Sequence, residues 1–539
     1  MPETNSIAPA FSERWAIPAP QDRRLGGEAQ NEEDPRNCAF FLARILLARL
    51  SFLLLIIACL ATQFTTADTT SGNATTVSSA GKDSESSHAQ IRSAFPASRS
   101  APYNAATLNC GGFDDTSAVQ STLDNLHASG GGTAQLPSNG TCTIHGALKW
   151  YSSVALAGNG SGSVLKLADG VTPTVHMIDI QDGLSDIEIS NLTIDGNVAH
   201  EAGVRHYGIY ALGVKRLRIH HVTLRNIPQD AISVSAARAG AENTDIIISD
   251  VIVNGFGRNG IALLNKVNGV IVANTSLIPL PGSNAAIDIE PSALATAKNI
   301  SLSGVIVSGG PYQIAVMGEA AIVDGVTISH CLLRNAKSAA IYVSDAHHVT
   351  TNSNIITDDS GSPTGQAIRV ISRSSTLAKG IVLHGDQISG MAGANGMVQV
   401  AGSTTYRAQD VSLTDISISG GTATYGLNVL YATGVQFAGS RVYDGASHGV
   451  LFQKVTNGIV SNSSFRNNVG RAIYLVDSSN VILQGNVTNS NGYGFYASSG
   501  TGYIVTGNQF ALNQVASFIG SSTVTGWGND VAVGNAPIF

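Results

Sequence analysis

Two acidic residues lie two positions apart in the segment AAIDIEP, where Asp288 and Glu290 flank a single isoleucine. In a β-strand, residues two apart lie on the same face, with their α-carbons roughly 6.6 Å apart. Carboxyl groups at such a separation can divide into a proton donor and a proton acceptor around a glycosidic bond, with room for water. Both residues are therefore candidate catalytic groups, although solvated strand faces also carry carboxylates that have no catalytic role.

A third carboxylate, Asp230, directly precedes the apolar segment AISV and is a further catalytic candidate, although aspartate before a strand is also a common turn residue. Aromatic rings and cations that could bind a sugar chain beside these acids are Tyr210, Tyr342, Arg369, His206 and Arg258. If the chemistry is an elimination, Tyr342 or His206 would remove the proton next to a uronate carboxylate that Arg369 neutralises.

A ladder of short apolar segments must position these residues. Its members recur every 22 to 30 residues: Ile209, Ile232, Ile261, Ile287, Ile314, Ile341, Ile368, Val398, Leu427, Val450, Ile473 and Phe495. Each segment alternates apolar and variable residues, which is typical of a strand with one buried face. A second ladder of strand-like segments, such as 246–255 and 300–309, runs alongside the first. The sequence therefore predicts an all-β fold, a right-handed parallel β-helix over residues 151–530 with a short tail at 531–539.

The residue after each ladder member is expected to point outward. This places Asp288 between two alanines of neighbouring rungs, where we expect a dent that a sugar could enter. Tyr342 would lie two rungs away, roughly 10 Å, and Arg369 and Tyr210 three rungs away in opposite directions, roughly 14 Å. Those separations suit neighbouring sugar subsites better than one shared proton transfer.

Composition excludes some partners. The 539 residues carry a formal net charge of −7, and no basic face is visible, which argues against nucleic acid. No CxxC or Cys/His cluster predicts zinc, and no set of oxygen ligands predicts calcium, so neither a metal nor a cofactor is expected. In an exported protein Cys110 and Cys142 could pair, whereas Cys331 is expected to be a buried apolar filler.

The N-terminal region is typical of processing and tethering segments. Residues 1–37 are polar and predicted to be disordered, and 68–102 is predicted to be a flexible linker. Between them, 38–67 contains an apolar run after two arginines, which predicts a signal peptide or a membrane anchor. A short lipobox-like word ends at Cys59, so a lipoprotein is one alternative. We therefore expect a secreted or cell-envelope protein, with a membrane tether as one option.

The first folded segment, 103–150, is predicted to be a cap. Val119, Leu123 and Leu126 fall on one helical face, Asp115 or Thr116 is placed to cap the N-terminus, and a run of glycines stops the helix. Such an amphipathic helix would cover the open first rung of the solenoid.

The cap also carries a family resemblance. The run DDTSAVQ at 114–120, the glycines at 130–132 and Leu136-Pro137 resemble the N-terminal signature of the pectate lyase superfamily, in its polygalacturonase-related, pectate-lyase-3-like branch. The resemblance implies a β-helix that works on polysaccharide, but the branch includes hydrolases, lyases, epimerases and proteins without known activity. The chain departs from polygalacturonases where Gln229-Asp230 and Asn259-Gly260 stand at the positions of their paired aspartates and His-Gly word.

Two classes of function follow from these observations. The first is an exported polysaccharide hydrolase or lyase that acts on an acidic or branched glycan, with Asp288, Glu290 and Asp230 as its catalytic candidates. The second is a non-catalytic surface β-helix that binds polysaccharide or acts as an adhesin through its outward tyrosines.

Overall fold

The computed structural model describes residues 104–519, apart from 201–202, 204, 238, 320 and 446, together with 524–528 and 530–533. They belong to one compact unit, Ala101–Phe539. The predicted disordered segment, the signal peptide or anchor with Cys59, the linker and the last residues of the tail lie outside the described residues. Within the described residues, no helix combines the length and the apolar character needed to cross a membrane.

The described strands form a parallel β-helix, as predicted. One surface is a sheet of 15 parallel strands, which we call the site sheet. Its members are Leu148–Lys149, His176–Ile180, Tyr207–Leu212, Ile232–Ser235, Asn259–Leu263, Ala285–Ile289, Tyr312–Met317, Ala339–Ser344, Gln366–Ile371, Val398–Ala401, Tyr425–Leu430, His448–Gln453, Arg471–Val476, Tyr493–Ala497 and Ala516–Ile519.

The remaining described strands form a 32-stranded sheet that supplies the other walls of the coil. They are Ala105–Thr107, Gly132–Gln135, Thr141–Ile144, Val154–Ala157, Val164–Leu167, Ser185–Asp195, Lys215–Ile227, Asn243–Ser249, Ile252–Phe256, Val267–Ala273, Ser276–Ile278, Thr296–Ser303, Ile306–Ser308, Ile322–Ser329, Leu332–Arg334, His347–Asn352, Ile355–Thr357, Lys379–His384, Gln387–Ser389, Ala408–Thr414, Ser417–Ser419, Ala432–Ala438, Arg441–Tyr443, Thr456–Ser461, Ser464–Arg466, Ser478–Gln484, Val487–Asn489, Gly500–Thr501, Tyr503–Thr506, Gln509–Ala511, Val524–Gly528 and Val531–Val533. Most turns of the coil contribute two of these strands.

A corner residue separates the two strands that each such turn adds to the larger sheet. Asp250 and Asn274 occupy this corner with φ of 54° and 51°, and Gly304 follows on the next turn with φ of 63°. The left-handed conformation favours aspartate, asparagine and glycine, which explains the regular punctuation of the second ladder.

The predicted register is confirmed. Ile287 pairs with Ile261 on one side and with Ile314 on the other, and all three are fully buried in one continuous core. The outward neighbours pair in the same way, so Asp288 lies between Ala262 and Ala315. Strict alternation along each strand sends β-branched residues inward and leaves the intervening positions for the outer surface.

Asparagine side chains stack inside the C-terminal turns. The Oδ1 of Asn491 accepts hydrogen bonds from the backbone N–H and the side-chain amide of Asn468, at 3.0 and 2.8 Å. Its own amide donates to the carbonyl of Phe465 at 3.0 Å, and Asn513 repeats the arrangement one turn later. These amides satisfy backbone groups at corners that the sheet ladders leave open.

The described residues include one α-helix, Thr116–Ala128, which packs on the first strands and buries Val119, Leu123 and Leu126, as predicted. Asp115 occupies the N-cap position, one of the two predicted alternatives, but its side chain makes no capping hydrogen bond. Asp114 accepts the Thr116 N–H at 2.8 Å instead. Asp115 turns the other way and accepts the N–H groups of Gly112 and Thr143, tying the helix to the first turn.

The cysteines behave as expected. Cys110 and Cys142 form a disulfide, which joins the segment before the helix to a strand after it. Cys331 is buried, and burial raises the pKa of its thiol to about 12, which leaves it inert as a nucleophile.

Candidate functional site

The outer surface of the site sheet, which we call the site face, displays the predicted ladder of outward residues. In register from rung to rung it carries Asp179, Tyr210, Ser233, Ala262, Asp288, Ala315, Tyr342, Arg369, Gln399, Asn428, Leu451, Tyr474 and Tyr496. The predicted spacing is confirmed: Tyr342 lies two rungs from Asp288, and Tyr210 and Arg369 lie three rungs away in opposite directions.

Asp230 and Arg258 form an ion pair at this face. The Asp230 side chain is fully buried, and both of its oxygens accept hydrogen bonds from the guanidinium of Arg258. The backbone N–H of Asn259 adds a third bond to Oδ1 at 3.2 Å. Burial raises the pKa of Asp230, and Arg258 opposes that shift. Asp230 therefore lies behind Arg258, whose side chain is 37% exposed and uses Nε and Nη2 in the pair.

The hydrogen-bond network of Asp230, Arg258 and Asn259 extends to Asp288 on the next rung. The side-chain amide of Asn259 donates to its Oδ2 at 2.8 Å, whereas Oδ1 is buried and has no hydrogen-bond partner among the described residues. Asp288 is only 2% exposed, and the flanking Ala262 and Ala315 are buried as well, so the expectation of an open dent is wrong. Burial, followed by the charges of Glu290 and Asp230, raises the pKa of Asp288 to about 7.

Glu290 lies at the surface, two positions beyond Asp288. Desolvation and the nearby carboxylate of Glu319 raise its pKa, and Arg258 opposes them. The two carboxyls predicted as a catalytic pair thus differ in environment, one buried and one exposed. Their catalytic roles stay predictions.

A second cluster surrounds Tyr210. Its ring stacks on His176, with centroids 3.9 Å apart, and meets Tyr207 edge to face at 5.6 Å. His176 Nδ1 lies 3.3 Å from a carboxylate oxygen of Asp179. His176 and Asp179 remain partly exposed, at 30% and 16%. Burial raises the pKa of Tyr210, with the neighbouring Tyr207 as a further cause.

Tyr342 and Arg369 lie together farther along the face. The guanidinium of Arg369 stands 5.8 Å from the centre of the Tyr342 ring, and that of Arg373 stands 5.9 Å from it. Tyr342 is 4% exposed, so its ring stacks on these arginines and on Tyr312 instead of offering an open platform. Burial raises its pKa, which makes it a poor base and contradicts that part of the elimination hypothesis. Arg369 remains partly exposed, as its predicted role requires.

His206 is not at an accessible groove edge. It is 1% exposed, and its Nδ1 accepts the backbone N–H of Val175 at 3.1 Å. A base must reach the substrate proton, so the expectation that His206 acts on a sugar is wrong.

Four residues of the site were missed from sequence: His176, Asp179, Tyr207 and Asn259. The first two lie on the rung before the predicted ladder began, where Ile178 pairs with Ile209. Extending the ladder back by that one rung would have found them. In the sequence, Asn259 stands out only because it replaces the histidine of polygalacturonases. The pattern of one strand does not show that its amide reaches Asp288 on the next rung.

Among the described residues, no group of three or more His, Cys, Asp or Glu side chains is placed to hold a metal ion.

Comparisons with known proteins agree with this fold. Residues 364–510 match the family model described as the right handed beta helix region, which confirms the predicted handedness and the fold resemblance. The chain is 31% identical over 179 residues to alginate lyase 7 of Azotobacter vinelandii, covering 31% of this chain and 21% of that protein. It is 41% identical over 100 residues to mannuronan C5-epimerase AlgE3 of the same organism, covering 17% of this chain and 5% of the epimerase.

The chain thus spans about a fifth or less of the length of these two relatives. Among solved structures, the A-module of mannuronan C-5 epimerase AlgE6 from Azotobacter vinelandii is similar with 18% identity and a TM-score of 0.40, covering 73% of this chain and 94% of the module. PfbA, a surface adhesin of Streptococcus pneumoniae, is similar with 13% identity and a TM-score of 0.44, covering 70% of this chain and 91% of PfbA.

Proposed function

We propose that this protein is an exported, carbohydrate-active enzyme that cleaves a uronate-containing polysaccharide by β-elimination along the site face. One observation carries the proposal: a partly exposed histidine–aspartate pair and a tyrosine lie on adjacent rungs of one surface, and an arginine that is 37% exposed lies two rungs farther along it. The similarity to a lyase and an epimerase, named for alginate and mannuronan, supports an acidic glycan as the substrate class.

Arg258 supplies the electrostatic part of this chemistry. Its Nε and Nη2 are held by Asp230, which fixes the guanidinium and leaves Nη1 for a substrate carboxylate. Asp230 lies one rung from Tyr207 and two from His176, roughly 10 Å along the face, so Arg258 holds the carboxylate of a neighbouring sugar and not the one beside the proton that His176 removes. Binding that carboxylate positions the acidic chain along the site face.

His176 is the base in this proposal, in place of Tyr342 and His206. With Nδ1 directed at Asp179, the imidazole is oriented and Nε2 can accept the proton. The electron pair of the broken C–H bond forms a carbon–carbon double bond, and the bond to the glycosidic oxygen breaks with its pair. The raised pKa of Tyr210 keeps its hydroxyl protonated, so that this hydroxyl can donate a proton to the departing oxygen.

The test is a product assay. The purified chain is incubated with alginate, polygalacturonate and neutral polysaccharides, and absorbance of unsaturated uronates is followed together with new reducing ends. We expect both signals on a polyuronate, and we expect His176→Ala to lower kcat about 10²–10⁴-fold. His384→Ala is the matched control, because His384 also lies near an aspartate, at 3.6 Å from Asp415, but on the other sheet. An equal loss of kcat in both variants, or no loss in either, contradicts the assignment of His176 as the base.

A second candidate is hydrolysis by Asp288 and Glu290. Its supporting observation is the asymmetry of the pair: Asp288 has a pKa of about 7 and an oxygen without a partner among the described residues, and Glu290 is an exposed carboxylate that can act as the base. Because Asp288 is only 2% exposed, this mechanism requires its surroundings to open before it can act as the acid. This mechanism is selected over elimination if the parent releases reducing ends without unsaturated product and if both Asp288→Asn and Glu290→Gln lose that activity.

The third outcome is binding without any product, which would favour a non-catalytic polysaccharide-binding or adhesin-type surface. The disulfide between Cys110 and Cys142 supports export, because such bonds persist in oxidising compartments. A tether through Cys59 or an uncleaved anchor belongs to the same proposal and is tested by locating the protein in fractionated cells before and after removal of residues 1–67.

A further inference from the structure

A second cluster of rings lies on the site face, far from the cluster described above. It occupies four successive rungs near the C-terminal end of the coil, and its members are paired in register or in ring contact. We call it the aromatic patch and define it by the half-buried residues Tyr425, His448, Arg471, Tyr474, Tyr493 and Tyr496. It spans roughly 14 Å along the coil.

Arg471 stands at the centre of the patch. Its guanidinium carbon is 4.3 Å from the ring centre of Tyr496, 4.4 Å from that of Tyr474 and 5.7 Å from that of Tyr493. Its Nε is buried and has no hydrogen-bond partner among the described residues, and no carboxylate there pairs with it. The rings thus hold a cation in place without neutralising it.

Among the described residues, no carboxylate forms an ion pair with Arg471, and the nearby imidazole is neutral. His448 accepts the Arg471 backbone N–H at 2.9 Å and stacks on Tyr425 with centroids 5.3 Å apart. Burial, followed by the charge of Arg471, lowers the pKa of His448 to about 4, so the imidazole is neutral at ordinary pH. The patch is therefore a set of neutral rings around one unpaired cation.

Core packing does not account for these tyrosines. On the inside of the same turns the aromatic positions are Phe452, Phe465 and Phe495, all fully buried. On the outside the rings carry hydroxyl groups and remain partly exposed. A ring with an apolar face and a polar edge suits a surface that contacts sugars, which are themselves apolar on their faces and polar at their edges.

We propose that the aromatic patch binds a segment of an anionic polysaccharide, with a sugar carboxylate on Arg471 and sugar faces on the tyrosine rings. Arg471 lies nine rungs from the strand Ile232–Ser235, which follows Asp230, a distance of roughly 43 Å along the coil. The patch therefore holds the glycan away from the proposed site of cleavage. The inference shares with the proposed function only its class of ligand, and it requires no catalysis.

The experiment measures binding alone. The full chain is titrated calorimetrically with size-defined oligomers of alginate and of polygalacturonate, and with neutral dextran oligomers. We expect Arg471→Gln to weaken binding of an acidic oligomer at least about tenfold, because a charge-assisted hydrogen bond is lost. Arg466→Gln is the matched control: Arg466 also lies over a tyrosine, at 5.8 Å from the Tyr443 ring, but it lies on the other sheet and should leave affinity unchanged.

A second pair of variants separates ring contact from folding. Tyr474→Phe keeps the ring and should bind nearly as the parent does, whereas Tyr474→Ala should bind about two- to tenfold more weakly. Melting temperatures of all variants are compared with that of the parent.

Three results would overturn the proposal: parent-like affinity in a folded Arg471→Gln, equal binding of dextran and uronates, or a dimer in sedimentation that both Arg471→Gln and Tyr474→Ala abolish. Loss of turnover in His176→Ala reports on the proposed function, and oligomer affinity in Arg471→Gln reports on the patch, so the two failures are distinguishable.

Discussion

Asp288 shows how much a side chain's chemistry depends on its neighbours. It has the orientation that strand alternation predicts, with Ile287 and Ile289 turned into the core and the carboxyl outside it. The surrounding rungs nevertheless remove it from water, and Asn259 satisfies only one of its oxygens. A carboxyl in such a place is more stable protonated than ionised.

This burial predicts a pH-dependent stability. The folded pKa of Asp288 is about 7, whereas that of an unfolded aspartate is about 3.9, so between these values the folded chain holds a proton that the unfolded chain has lost. The contribution of this residue to stability therefore falls as pH rises through that window, by up to about 4 kcal/mol. The free energy of unfolding of Asp288→Asn, minus that of the parent, should increase by that order between pH 4 and pH 8.

The comparison is made by denaturant unfolding at both pH values. Asp359→Asn is the control, because Asp359 is exposed and its replacement should give the same small difference at pH 4 and pH 8. If the free energy of unfolding of Asp288→Asn minus that of the parent is also the same at both pH values, the Asp288 carboxyl is solvated and ionised like an ordinary one.

Strand periodicity predicted which residues share the site face, but not which of them can reach a ligand. Tyr210, Arg258 and Arg369 are partly exposed, whereas His206 and Tyr342 are covered. Exposure depends on the rotamers and volumes of side chains 23 to 30 positions away in the chain, which no local pattern records. His176 was missed for a simpler reason, since the ladder continues one rung before the point at which we began it.

At the scale of elements, the corners of the coil depend on buried side-chain amides. Asn468, Asn491 and Asn513 stand at the same corner of successive turns. The amides of Asn468 and Asn491 each donate to a backbone carbonyl and to the next asparagine, and Asn513 accepts from the backbone and the side chain of Asn491. Buried polar groups of this kind are costly when a partner is removed, because water cannot replace it.

Asn491→Ala is therefore expected to destabilise the protein by about 2–4 kcal/mol. The substitution removes the side chain that accepts hydrogen bonds from the backbone N–H and the side-chain amide of Asn468 and that donates one to the carbonyl of Phe465. Thermal and denaturant unfolding measure the loss. Asn489→Ala is the control: Asn489 lies two positions away, is partly exposed and stands outside the asparagine stack, so its replacement should change stability by about 0.5 kcal/mol or less. Similar losses in both variants would show that the stack contributes nothing of its own.

The cap illustrates what can and cannot be predicted of an element. The spacing of Val119, Leu123 and Leu126 was sufficient to predict the helix and its buried face. The identity of the capping carboxylate was not predictable, because Asp114 and Asp115 are adjacent and only the turn of the chain before the helix decides which one faces the Thr116 N–H.

At the scale of the whole molecule, the fold was predictable because a single rule repeats. Each rung must bury its apolar positions over those of the previous rung, so the recurrence of isoleucine and valine at intervals of 22 to 30 residues specifies both the coil and its register. The function was less predictable, since rungs of the same backbone geometry can carry different side chains on the site face.

We infer that the site face is one continuous binding surface. Arginines without a carboxylate partner among the described residues, Arg369 and Arg471, lie along it beyond the paired Arg258. These two cations and the tyrosine rings lie on the same face of the coil, an arrangement that suits an anionic polymer.

The most direct test of that central claim is hydroxyl-radical footprinting of the full-length His176→Ala variant with and without an alginate or polygalacturonate oligomer, read by mass spectrometry at tyrosines. We expect protection of Tyr210, Tyr474 and Tyr496 on the site face, with no change at Tyr443 on the other sheet or at Tyr151 beside the cap helix. Protection of Tyr443 and Tyr151 with unchanged oxidation of Tyr210 and Tyr474 would contradict it.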